Sequence, residues 1–95
     1  MAGPDFEING SRLAELKTAN STNINTQSER IVEALKSQSK DVILDGRRAG
    51  LSKELSDQIL SEVRRVLIKD GIPLEGIVEV WTTDGLSYIY DIANL

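Results

Sequence analysis

The sequence predicts an α/β domain, a mixed sheet flanked by helices in the order β-β-α-β-α-β-β. Three observations predict it. Short alternating segments flank two-residue turn signals near both ends, at Asn9-Gly10 and Asp84-Gly85. Two stretches between them carry apolar residues at helical spacing: Ile31, Val32 and Leu35, then Leu55, Ile59, Leu60, Val63, Val66 and Leu67. An unbroken apolar run, Val42-Ile43-Leu44, separates the two, as a strand buried on both faces requires. Ninety-five residues, 40% of them hydrophobic, suffice for one core and therefore one domain over 1–95.

The elements follow in order. Phe6 and Ile8 share one face of a first strand that begins at Asp5. Asn9-Gly10 favours a primed turn, and Arg12 to Ala19 returns as the second strand. Counting around a two-residue loop pairs Ile8 with Ser11 and Asp5 with Ala14. In the returning strand the pleat puts Leu13, Glu15 and Lys17 on one face. Thr26-Gln27-Ser28-Glu29 fits a capping box, so a helix is expected from Thr26 as N-cap to about Ser37. Asp41 to Asp45 is the buried strand, and Gly46 to Leu51 is a loop carrying Arg47 and Arg48. Ser52 caps the second helix, and Gly71 and Pro73 end it. Ile77 to Trp81 and Leu86 to Ile92 form the last hairpin, with Trp81 and Tyr88 expected as a cross-strand pair.

Composition narrows the chemistry. Without cysteine or histidine there are no disulfides, thiolate metal sites, Ser-His-Asp triads or His-ligated zinc. Catalysis is left to carboxylates, lysine, hydroxyls or a hard cation. A net charge of -4 argues against a broadly basic nucleic-acid surface. Arg47-Arg48 and Arg64-Arg65 remain as local basic pairs. No stretch approaches the length of a membrane span, and no membrane association is expected.

Against that background Pro4-Asp5 and Glu15-Leu16-Lys17 stand out. Two carboxylates and a lysine on neighbouring strands can hold a divalent cation, activate water and offset charge on a phosphate. The plainer reading makes Asp5 a strand opener and Glu15 and Lys17 a same-face ion pair.

These two half-motifs resemble those of the PD-(D/E)XK nuclease superfamily. More narrowly, the chain resembles the C-terminal tRNA nuclease toxin domains of contact-dependent growth inhibition (CdiA-type) proteins. That likeness lies in Pro4-Asp5-Phe6-Glu7-Ile8-Asn9-Gly10, Val42-Ile43-Leu44-Asp45 and the Asp84-Gly85 hairpin. The resemblance implies a restriction-endonuclease-like fold, with Asp5 and Glu15 as metal ligands and Lys17 as the catalytic lysine. It implies Mg2+ or Mn2+ as cofactor, nucleic acid (tRNA over DNA) as substrate, and a cognate immunity protein as partner. It further implies delivery as part of a larger secreted or cell-surface toxin and action in the target-cell cytoplasm. Such nucleases often carry another acidic residue on a helix before the first strand. Only three residues precede Pro4, so that helix is expected to be missing, with Gln27 or Glu29 as its substitute. Arg47 and Arg48 are the candidate nucleic-acid-binding residues. The alternative expectation is a non-catalytic interaction module, or an acidic, immunity-like partner protein.

Overall fold

The computed structural model describes residues 6–8, 12–37 and 39–95. Its elements are β1 (Phe6–Ile8), β2 (Arg12–Thr18), α1 (Ile24–Lys36), β3 (Asp41–Asp45), α2 (Lys53–Lys69), β4 (Ile77–Trp81) and β5 (Ser87–Asp91), closed by a 3-10 turn over Ile92–Asn94. Strands β2 to β5 form a mixed ladder, and β1 pairs with the outer edge of β2. The β2, β3 and β4 strands are parallel, while β5 runs antiparallel to β4.

Spatial order follows chain order, and this decides where the helices go. Each parallel step needs a crossover, and crossovers share one hand. Two such steps in the same direction put α1 and α2 on the same face of the sheet. The core lies there. Ile31, Val32, Ala34 and Leu35 of α1 pack with Ile59, Leu60, Val63 and Leu67 of α2 over Val42, Leu44, Val78 and Val80. The opposite pleat carries Ala14 and Ile43, both buried, but also Ile89, which is exposed.

Helix α2 follows its sequence signals. Ser52 caps it by accepting from the Leu55 N–H at 3.2 Å. Gly71, at φ 68°, takes the left-handed turn that ends it, and the Ile72 N–H returns to the Leu67 carbonyl. Another glycine is set by space. A Cβ at Gly46 would lie 2.3 Å from Leu51 Cδ1, so the β3–α2 loop can fold back tightly only with glycine there.

Three expectations are corrected. Ile8 pairs with Arg12 and Phe6 with Ala14, one residue away from the two-residue-loop register. The expected turn at Asn9-Gly10 lies outside the described residues. Helix α1 starts one turn earlier than the capping box implied: Asn23 is the N-cap, its Oδ1 accepting from the Thr26 N–H at 2.9 Å. Asparagine is as strong a cap as threonine or stronger, and the extra turn lets Ile24 pack on the core. Finally, Trp81 pairs with Ser87 and Tyr88 with Val80, so the two aromatic rings lie on opposite faces.

Candidate active site

The candidate site begins with the pleat of β2. Glu15 pairs with Val42 and Lys17 with Leu44, and both of those residues belong to the helix-covered core. Glu15 and Lys17 therefore project from the same face, toward the helices. Lys17 Nζ lies 2.9 Å from Glu15 Oε2. Glu15 is only 9% exposed, so a carboxylate has been taken out of water at the margin of an apolar core. That costs free energy unless the group is paired and hydrogen-bonded.

Two described residues contribute to that pairing. Lys17 supplies a cation whose side chain keeps one-third of its surface in solvent. The buried Ser39 hydroxyl donates to Glu15 Oε1 at 2.6 Å. Ser39 is held by its own backbone, its N–H donating to the Ala34 carbonyl in the last turn of α1. The end of α1, the entry to β3 and the middle of β2 thus converge on one carboxylate. The pattern of the sequence singled out Glu15 and Lys17. It did not single out Ser39, which sits between elements with no periodic signal.

Asp5, the expected second carboxylate, lies outside the described residues. Among the described residues no three acidic side chains come together as a metal cluster.

The two helix candidates part company. Positions 27 and 29 point in nearly opposite directions on a helix. Gln27 faces inward and is fully buried. Its Nε2 donates to Asn20 Oδ1 at 3.2 Å and Ser21 Oγ at 3.3 Å, while its Oε1 has no partner among the described residues. Those contacts lie past the C-terminal end of β2. Glu15 is four strand positions, roughly 13 Å, before Ala19. Glu29 is exposed and lines the outer groove between α1 and α2, with Glu33, Glu62 and Arg65.

The arginine pair lies at the C-terminal end of β3. Asp45 initiates the turn by accepting the Arg47 N–H at 3.1 Å. It also takes a two-pronged contact from the Arg47 side chain, at 3.0 Å from Nε and 2.9 Å from Nη2. Those hydrogen bonds hold the Asp45 carboxyl below its usual range, against an opposing push from burial. The guanidinium also stacks 4.8 Å from the Trp81 ring centroid. The indole N–H of Trp81 donates to Glu79 at 2.8 Å. Arg48 is exposed beside this group. Arg64 and Arg65 lie on the exposed face of α2, where Arg65 pairs with Glu62.

Residues 3–79 match the family model for the contact-dependent growth inhibition CdiA C-terminal domain. No curated protein matches the chain. Among solved structures, the fold is similar to a chain of the CdiA-CT/CdiI toxin and immunity complex from Burkholderia pseudomallei, with a TM-score of 0.59. The alignment covers 86% of this chain and 58% of that one, at 14% identity, so the likeness is one of fold.

Proposed function

Because the chain belongs to the family of contact-dependent growth inhibition CdiA C-terminal domains, we propose that it is the toxin domain of such a protein and a metal-dependent nuclease of PD-(D/E)XK type. Asp5 and Glu15 are the metal ligands and Lys17 the catalytic lysine. The observation that carries the reading is the buried Glu15 with Lys17 at 2.9 Å on the same strand face.

Two carboxylates make an all-oxygen donor set. This suits Mg2+, held by one or two carboxylates together with water and phosphate oxygens, or Mn2+. Such an ion supplies an activated water and a Lewis acid at the phosphate. The chain does the rest. Glu15 presents an oxygen fixed in place by burial and by Ser39. Lys17, partly exposed, brings its ammonium to the charge that develops on the phosphate. Arg47 and Arg48, past the end of β3, contact the nucleic-acid backbone. The favoured substrate is tRNA. A cognate immunity protein would bind and block this domain, a partnership extended from the Burkholderia pseudomallei complex. The domain would reach the target-cell cytoplasm as part of a larger delivered protein.

One observation favours a second reading. The Glu15 carboxylate is engaged through both oxygens, as in a purely structural ion pair. A non-catalytic interaction module would need nothing more.

Incubation of the purified chain with total tRNA and with plasmid DNA, with Mg2+, Mn2+ or chelator, separates the two. Metal-dependent cleavage is expected, falling at least ~100-fold, to background, in Glu15→Ala and Lys17→Ala. Cleavage that persists in both variants, or in chelator, removes these residues from the mechanism.

A further inference from the structure

We infer that Ser39 is a positioning residue for the metal-binding carboxylate, an inference that rests on the nuclease reading above. Glu15 sits on β2 and Ser39 before β3, twenty-four residues apart in the chain, joined by a buried hydrogen bond of 2.6 Å. The bond fixes Oε1 and with it the plane of the carboxylate. Oε2 then faces the Lys17 ammonium. A glutamate has three side-chain torsions to order, and an unrestrained carboxylate presents its second oxygen over a wide arc. Partners of this kind around ligating carboxylates orient the donor and tune its affinity.

Ser39 is well placed to hold this position. It is 5% exposed. Its backbone N–H is tied to the Ala34 carbonyl at 3.3 Å, so its Cα is set by the end of α1 and not by Glu15. The following residue is anchored as well: the Lys40 carbonyl accepts from the Ile77 N–H at 2.8 Å, at the mouth of β4. The hydroxyl thus comes from a rigid junction of three elements. A free serine rotor on a loop would supply no such constraint.

The test is calorimetric titration of Mn2+ into the full chain, with no nucleic acid present. Alongside the parent run Ser39→Ala, Ser39→Thr, Ser39→Cys and Glu15→Gln, each with a thermal melt. Cysteine keeps nearly the serine shape but donates weakly, so it reports the hydrogen bond even if alanine perturbs folding. Expected is a loss of Mn2+ affinity of about 10–100-fold in Ser39→Ala, a smaller loss in Ser39→Cys and recovery in Ser39→Thr. A purely structural serine would move the melts and leave affinity alone. Parent-like affinity in a folded Ser39→Ala or Ser39→Cys, with Glu15→Gln impaired, overturns the role of Ser39 and leaves the metal site standing. No Mn2+ binding by the parent, or unchanged binding in Glu15→Gln, overturns the metal site itself and this inference with it.

Discussion

At the scale of single residues, polar groups near the core are accounted for mostly by local partners. Asp45, Arg47 and Trp81 show how three side chains share one small surface. The aspartate is tied to the Arg47 backbone and to its guanidinium, and the guanidinium rests on the indole. Because Asp45 has a lowered folded-state pKa, its charge stabilises the fold above the unfolded value of about 3.9. That contribution is lost as pH falls through the lower, folded value. Thermal melts of the parent and Asp45→Asn should therefore differ at neutral pH and converge below about pH 4. A difference that stays constant down to about pH 2 would show that charge at Asp45 contributes nothing. Tyr90 shows the converse effect. Burial first, and then its hydrogen bond of 2.8 Å to Asp57, push its hydroxyl well above the ordinary tyrosine range. Glu15 and Lys17 were legible at this scale because a strand has a period of two. Ser39 was not, because no local pattern announces a contact that closes across a helix.

At the scale of elements, the α1 boundary is the instructive case. Both Asn23 and Thr26 are capping residue types, and Glu29 completes a capping-box pattern with Thr26. Local chemistry leaves the choice open. Packing closes it, since starting at Asn23 buries part of Ile24 against the core. Asn23→Ala should cost about 1 kcal/mol, while Thr26→Ala, an exposed change inside the helix, should cost less than about 0.5 kcal/mol. Urea denaturation of the two variants checks this, and equal losses would put the cap back in doubt. Helix α2 posed no such ambiguity. Ser52 precedes the apolar stripe directly, and Gly71 follows it. In the first hairpin, turn chemistry suggested a two-residue loop, but the paired strands stand one residue further apart. The face of Ala14 is set on the other side, where β2 pairs with β3, and a one-residue slip there would turn it over.

At the scale of the whole molecule, the two faces of the sheet are unequal. Both described helices cover one face, and the row Leu16, Ile43, Glu79 and Ile89 crosses the other. Ile43 is fully buried, yet Ile89 at the far edge is 66% exposed. Truncating the buried Ile59 of α2 to alanine should cost about 2–5 kcal/mol, whereas Ile89→Ala should stay within about 0.5 kcal/mol. Denaturation midpoints measure both. A large loss at Ile89 would mean that the edge of that face is covered in solution. Among the described residues no helix is long and apolar enough to cross a membrane.

The sequence by itself determined the kinds of element and their faces. Periods of two and 3.6, caps and glycines are properties of neighbouring residues, and they act before any long-range contact forms. It likewise aligned Glu15 with Lys17. Only the tertiary structure decided which elements meet: strands side by side in chain order, helices on one face, Ser39 under the end of α1 against Glu15, Arg47 over Trp81. These contacts join residues that share no local pattern. They are selected by the free energy of burying one common core, and that exists only once the whole chain has closed around it.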